Sequence, residues 1–579
     1  MEQHPEQATF VLQNKKHIVL AVAFIAILCM ATAMRLPQLE LRPVHGDEAN
    51  QAMKTGMLLE KGEYKYDPHE HHGPTLYYFT LPVLWINGVS SFAESTITQY
   101  RLVAVFFGLL TIVLLWLLRD ALGPWAMFWT ALLLAVSHVM TYYSRYYIQE
   151  MLLVCFTQAA LATGWRLYKK PSLLWAVLFG ISLGLIHATK ETSAFIAFSF
   201  LVAATLTIGY ARLRDGAPVK EQIRGLWNAG AAKYMTIAGA VALLVSVTLF
   251  SSFFTNWHGP LDSLLTYAHY LTRAEGEGSA AVHDKPWYYY LVLLTYTYRQ
   301  AGPRWTEAFT LLLAVVGVMA SLWPAARTLE AEQKQAVMFR RFLTFYALLI
   351  LILYTIVPYK TPWNVLVFYH AAALLAGIGA IAIVRKGRSH IAHLIVAGFT
   401  LLLVAILAIA DLALPRCSEA IVNIGRRTVQ GLLCLLLLSG IAHMGYQSYQ
   451  GNFIYPADTR NPYVYAHPST AIKRLITRID DITAIAQEAH SLHINIIRPD
   501  GDYWPLPWYL RKHTKVGWWR NIPEKPDAAI ILASPQLYEI LQERLRDDYL
   551  VEFHALRPGF LLHAYIRRDL WDDFMQTRQ

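Results

Sequence analysis

Apolar runs of about 20 residues, the length a helix needs to cross a bilayer, recur through this chain. They lie near 17–35, 99–118, 125–143, 149–168, 172–189, 193–210, 234–254, 305–323, 341–358, 363–384, 390–413 and 428–446. No other feature constrains the fold as tightly. In hydrocarbon every backbone N–H and C=O must be satisfied inside the protein, so runs of this length read as helices. Two weaker stretches, 76–92 and 286–298, are rich in Tyr, Trp and Pro and broken by polar residues. They are expected to lie along the membrane interface. Only 16% of the 579 residues are charged, against about 25% in a soluble domain, which excludes a water-soluble globule. The net charge of +10 sits between the apolar runs, as a topology signal does, so no nucleic-acid partner is expected. Cys29, Cys155 and Cys434 lie inside apolar segments and Cys417 stands alone in a loop, which indicates no disulfide framework. The first run follows Lys15 and Lys16 without a small-residue cleavage site and reads as an uncleaved span.

Loop charge orders the topology. Arg166, Lys169 and Lys170 fill one loop; Arg212, Arg214, Lys220, Arg224 and Lys233 fill another. Arg327, Lys334, Arg340 and Arg341 fill a third, and Arg385, Lys386 and Arg388 a fourth. The alternate short loops carry one cation each, Arg145, Lys190 and Lys360. The basic set and the N-terminus are therefore expected in the cytoplasm. The opening loop, 144–150, 187–192, 255–304 and 358–362 share the outer face. Twelve crossings would return residues 450–579 to the cytoplasm, whereas Arg416, Arg426 and Arg427 before the last run place them outside. An outer C-terminus is favoured, with a re-entrant segment or a short extra crossing as the reconciling feature. The expected fold is an α-helical polytopic membrane domain of about 11–13 spans over residues 1–449, with a first outer loop at 36–98 and another at 255–304. A small soluble α/β domain follows at 450–579. Its β-like runs are 493–499, 528–534 and 560–566, and its helical stretches 469–490 and 536–548. The segment YWPLPWYLR at 503–511 is too bulky for a regular core strand and is expected to face the membrane or a substrate.

The chemistry gathers on the outer face. Asp47 and Glu48 follow a glycine just beyond the first span. An Asp there can cap a helix N-terminus, or serve as general base toward an attacking hydroxyl; both readings stand on the sequence. In DPHEHHGP, Asp67, His69 and His71 offer carboxylate and imidazole ligands for a divalent metal ion. The spacing matches no strong metal motif, and the alternative is a solvated loop whose histidines meet substrate. Arg145 and Glu150 in YYSRYYIQE, Lys190 in HATKETS and Lys360 in PYKTPWN are each readable as interfacial anchors. Together, ionisable residues at span ends on one face point to function, and cations there suit a phosphate. Around the glycine-rich centre Gly276 to Gly278, the loop 255–286 reads equally as a lid or a connector.

At these residues the chain resembles the GT-C glycosyltransferases, multi-spanning enzymes that use lipid-phosphate sugar donors. HGDEA at 45–49, HGP at 72–74, the Arg145 and Glu150 pair, TKE at 189–191 and YKTPWN at 359–364 carry that resemblance. The set HGDEA, HEHHGPTLYY, ATKETS, YKTPWN, NPYVYAHP and YWPLPWYLR is more closely similar to a prokaryotic flippase-activity-associated subfamily, related to the dolichyl-phosphate-mannose protein mannosyltransferases. The resemblance implies an inverting transfer from a polyprenyl-phosphate sugar to a hydroxyl of a protein, lipid or glycan. It would act at the periplasmic or extracytoplasmic face of the cell membrane. It further implies Asp47 as base, Glu48 and Glu150 as orienting acids, and Arg145 and Lys190 on the donor phosphate with His72 and Lys360 beside them. No cofactor is required by it beyond the metal ion already considered. A lipid-linked sugar flippase or transporter component is the competing class, and a polysaccharide-binding membrane scaffold the third. Neither two matching halves nor a midplane cluster of polar residues is visible, which favours the enzyme.

Overall fold

A computed structural model describes residues 5–69, 72–220, 222, 229–274, 283–324, 328–386, 435–486 and 489–578. The expected span 390–413, the start of the span 428–446, the glycines 276–278, Glu70 and His71 lie outside the described residues. Among those described, six helices are long and apolar enough to cross a membrane: Ile18–Arg35, Ile97–Leu122, Ser193–Asp215, Ala232–Phe250, Ala331–Ile356 and Pro362–Val384. Four shorter apolar helices join them, Thr75–Ile86, Pro124–Val136, Leu173–His187 and Ala308–Leu322.

The centre of the bundle is the helix Glu150–Lys169, most of whose side chains are buried. It packs on Leu173–His187 and Ile97–Leu114. Close approach elsewhere depends on small residues, as membrane helix pairs require. Gly317 and Gly379 face each other so tightly that a Cβ on either would strike backbone of the other helix. The expected span 125–143 breaks at Ser137, whose hydroxyl accepts the Met140 N–H and restarts the chain as a short helix, His138–Tyr143. The stretch 76–92 becomes the helix Thr75–Ile86, which buries Leu76, Tyr77, Leu81 and Leu84. The stretch 286–298 becomes a short helix, Tyr289–Thr295, and one strand of a two-stranded pair, Thr297–Tyr298 with Arg304–Trp305.

Charge separates the two ends of the bundle. At one end Asp120 holds Arg166 at 2.7 Å and Lys169 at 2.9 Å, and Asp215 holds Arg341. At the other end lie Asp47, Arg145, Glu150, Lys190 and Lys360.

The C-terminal region folds as a five-stranded sheet in the order Val516–Trp519, Ile494–Ile497, Ile530–Ala533, Phe560–Arg567, Tyr549–Arg557. The first three strands are parallel and the last two antiparallel. Ile494–Ile497 and Ile530–Ala533 are wholly buried, as strands covered on both faces are. The helix Ala471–Ile485 lays Ile472, Leu475, Ile479 and Ile482 in the same core. The sheet region sits against residues 40–44 and 95, on the Asp47 side. The Tyr509 hydroxyl accepts the Val44 N–H at 2.9 Å. Lys473 donates to the carbonyls of Glu40 and Leu41, both at 3.0 Å, and Arg511 donates to that of Ser95 at 2.8 Å. The segment 503–511 therefore packs on protein: Trp508 meets Phe92 and Tyr100 edge-on.

Candidate active site

The helix Gly46–Lys61 begins the site. Its N-cap is His45, whose Nδ1 accepts the Asp47 N–H at 3.0 Å, while the Glu48 carboxylate accepts the His45 N–H at 3.1 Å. This is a capping box with histidine in the usual Ser or Thr place. The cap reading of Asp47 is thereby overturned, because His45 performs that duty and the Asp47 side chain is released from it. The other ring nitrogen, Nε2, lies 3.0 Å from the Tyr465 carbonyl. A carbonyl only accepts, so Nε2 carries the proton and Nδ1 does not. His45 is neutral, and burial pushes its pKa below the ordinary histidine value.

Glu48 turns the other way. Its side chain is fully buried, accepting from Arg101 Nε at 2.8 Å and Nη2 at 2.5 Å, and from the Tyr147 N–H at 3.0 Å. Burial pushes its pKa up, but the Arg101 charge and hydrogen bonds, with Arg42, outweigh that and hold it at about 2. Arg101 also donates to the carbonyls of Leu39, Arg42 and Pro43, so this acid locks the first outer loop against the span Ile97–Leu122. The Asp47 side chain remains 47% exposed. Its one ion-pair-distance neighbour among the described residues is His45, at 3.7 Å, and that nitrogen is unprotonated.

Around Asp47 stands a wall of aromatic and histidine rings. His45 packs on Tyr146, Trp363 and His467 at 5.5, 6.2 and 4.8 Å between ring centres. Trp363 packs on Tyr465 at 5.8 Å. The Tyr465 hydroxyl lies 2.8 Å from His283 Nδ1, and the Asp47 charge is felt at both groups. Burial drives the pKa of His467 and His283 down. Next to this wall the segment 283–285 pairs with 358–360: the Lys360 N–H donates to the His283 carbonyl at 3.0 Å and the Lys285 N–H to that of Pro358 at 3.1 Å. The Lys360 ammonium donates to the carbonyls of Lys285, at 3.3 Å, and Val357; burial lowers its pKa.

The other expected site residues are brought to this end of the bundle but are engaged differently. Arg145 aims its N–H groups at the carbonyls of Arg35, Pro37 and Gln38, at 2.8, 2.6 and 3.0 Å, beyond the C-terminus of the first span. That is a helix-end role, and it engages Nη1 and Nη2 of the side chain expected on a phosphate. Lys190 and Glu150, expected to work on different substrates, are ion-paired to each other in a buried site, with the Asn364 side-chain oxygen 3.1 Å from the same ammonium. His72 Nδ1 lies 2.7 Å from the buried carboxylate of Glu191, which ties the HGP motif to the TKE turn. Among the described residues no three His, Cys, Asp or Glu side chains converge to hold a metal. Of the expected ligands, Asp67 accepts the His69 N–H at 2.9 Å to close a turn, and His71 lies outside the described residues.

The family model for dolichyl-phosphate-mannose-protein mannosyltransferase matches residues 20–257, the stretch that carries Asp47, Glu48, Arg101, Glu150 and Lys190. ArnT from Cupriavidus metallidurans, solved bound to undecaprenyl phosphate, superposes with a TM-score of 0.57 over 95% of this chain and 98% of that one, at 18% identity. The chain has a mostly helical, GT-C-like membrane fold with a small C-terminal sheet region. An archaeal member of that fold, the Archaeoglobus fulgidus oligosaccharyltransferase tethered to an acceptor peptide, matches with a TM-score of 0.51 at 13% identity, covering 92% of this chain and 69% of that one. No curated protein matches by sequence. The groups around Asp47 that the sequence did not single out as site residues are Trp363, Tyr465, His467 and His283. Three of them sit in the motifs YKTPWN and NPYVYAHP, where an alternation of Tyr and His in an outer segment was the available hint.

Proposed function

We propose that this chain moves a sugar from a polyprenyl-phosphate donor to an acceptor hydroxyl with inversion, and that Asp47 is the general base. The observation that carries the reading is the contrast within one helical turn: Glu48 is saturated by Arg101, whereas Asp47 is half exposed and relieved of capping by His45. In this reading the acceptor hydroxyl enters between Asp47 and the rings of Trp363 and Tyr465. Asp47 takes its proton as the oxygen bonds to the anomeric carbon. The bond from that carbon to the phosphate oxygen breaks on the opposite face, and the electron pair leaves with polyprenyl phosphate.

The charge developing on the leaving group needs fixed positive partners. In this reading Lys360 and Lys285, on the paired segments beside His283, supply that charge, with Arg145 and Lys190 at the same end of the bundle. The pairs Glu150 with Lys190 and Glu191 with His72 hold the outer turns in register. The reaction is assigned to the outer face of the cell membrane, since the basic loops gather at the opposite end.

Asp47→Asn tests the reading. The variant is expected to fold and insert normally, and to lose transfer from a polyprenyl-phosphate sugar by about 100- to 10,000-fold. Unchanged turnover would remove Asp47 from the base role. Flipping of a lipid-linked sugar in liposomes, with no transfer, would put a transporter in the enzyme's place.

A further inference from the structure

We infer that Arg42, Arg145, Tyr142 and Asn452 line a buried site for one small inorganic anion of the size and charge of chloride, a counter-ion for the arginines gathered there. The charges of the protein alone do not balance at this point. Arg35, Arg42, Arg101 and Arg145 are 1, 5, 0 and 5% exposed. Among the described residues, Glu48 is the one acid within ion-pair distance of any of them, 2.5 Å from Arg101 and 3.9 Å from Arg42. Arg35 and Arg145 donate to backbone carbonyls, which supply acceptors but no counter-ion. A buried charge without one is costly. Burial, and then the charges of Arg42, Arg101 and Arg35, push the Arg145 pKa down to about 9. That repulsion is what an anion relieves.

A cavity lies among the same side chains, lined by Arg42, Arg101, Arg145, Tyr142 and Asn452. Arg101 spends its five N–H groups on Glu48 and three carbonyls, so an anion there falls chiefly to Arg42 and Arg145. Arg42 donates through Nη2 to the Arg145 carbonyl at 2.5 Å, while its Nε is buried with no hydrogen-bond partner among the described residues. Its guanidinium carbon lies 4.6 Å from the centres of both the Tyr142 and Tyr146 rings. Those contacts fix the group and leave its N–H edge for a ligand, where a charged acceptor makes the stronger bond. The space left is that of one water-sized occupant. Water fills it without answering the charge, and a tetrahedral oxyanion brings four oxygens where one heavy atom fits. A halide meets both conditions. Bound there, it fastens the first outer loop to the turn at Arg145 and to the segment 452–456. The inference does not rest on Asp47 being the base.

The full chain in detergent is unfolded by heat at constant ionic strength while chloride replaces gluconate. The midpoint is expected to rise by about 2 °C or more and to saturate, with bromide acting as chloride does. Asn452→Asp sets a carboxylate at the cavity and should lose the chloride response while keeping a midpoint near that of the chloride-saturated parent. Arg42→Gln should lose the response as well. Asp47→Asn should respond to chloride as the parent does, so transfer can fail while the anion site stands. Three results overturn the inference. No chloride effect at constant ionic strength would put water in the cavity. A parental response in both Arg42→Gln and Asn452→Asp would put the anion elsewhere. A rise with inorganic phosphate or undecaprenyl phosphate, and none with chloride, would make the cavity an oxyanion site.

Discussion

At the end of the bundle that carries Asp120, the side chains of Asp120, Arg166 and Lys169 are 17–28% exposed. At the Asp47 end, those of Glu48, Arg101, Glu150 and Lys190 are 0–7% exposed. Exposed pairs are screened and contribute little, while a buried charge that loses its partner is costly. At the first end the Asp120 cluster keeps its cations near water, while Arg341, paired with Asp215, is the buried exception. The second end uses ion pairs as internal fasteners, and within it the half-exposed carboxylate of Asp47 is held apart from the pairing. That difference separates groups that can touch a substrate from groups that hold the surface on which it lands.

The sharpest way to break this division is to exchange the consequences of adjacent acids. Asp47→Asn should abolish transfer with the thermal unfolding midpoint nearly unchanged. Glu48→Gln should do the reverse in kind. It leaves Arg101 buried without a counter-charge, at a cost of about 3–5 kcal/mol, read as a fall in the unfolding midpoint in detergent. If Glu48→Gln instead keeps parental stability and loses only turnover, Glu48 belongs with the reacting groups and the division fails.

Much of the architecture was legible because it rests on local periodicity. Apolar runs set where helices form, loop charge separated the two ends, and the β-like runs at 493–499, 528–534 and 560–566 contain the strands Ile494–Ile497, Ile530–Ala533 and most of Phe560–Arg567. The strand Val516–Trp519 gave no such signal, since a glycine and two bulky indoles fit a strand only at a sheet edge. Asp47 was visible as an acid after a glycine beyond a span. The partners of the charges were not, because pairing is a tertiary matter. Glu48 meets Arg101 across 53 positions, Lys190 meets Glu150 across 40, and His45 meets Tyr465 across 420. A cation in an outer turn looks the same in sequence whether it holds a phosphate or, as Arg145 does, the carbonyls beyond a helix end.

Acid should reach the Asp47 end through its histidines. His45 and His467 are neutral and buried, with folded pKa values pushed below the ordinary value by desolvation. Below about pH 6.5 the unfolded chain binds protons that the folded chain refuses, so stability is present above that pH and falls as pH drops toward the folded values. The slope is about 1.4 kcal/mol per pH unit for each histidine. Unfolding midpoints measured from pH 7.5 to 5 should show the decline, and His467→Asn should flatten it by one histidine's share. An unchanged slope in that variant would mean that the ring is already charged in the folded protein.

The smallest effect belongs to the opposite end. Asp120 joins Arg166, Lys169 and the Trp165 indole N–H at 3.1 Å, yet all of this lies within reach of solvent. Asp120→Asn keeps the geometry and removes the charge, so it should cost about 1 kcal/mol or less, and the loss should shrink further in high salt. Transfer activity should stay at the parental level, because among the described residues the Asp120 cluster makes no contact with the rings around Asp47. A cost as large as that of Glu48→Gln would show that the Asp120 end is fastened in the same way as the Asp47 end, and that exposure is a poor guide to which charges hold this bundle together.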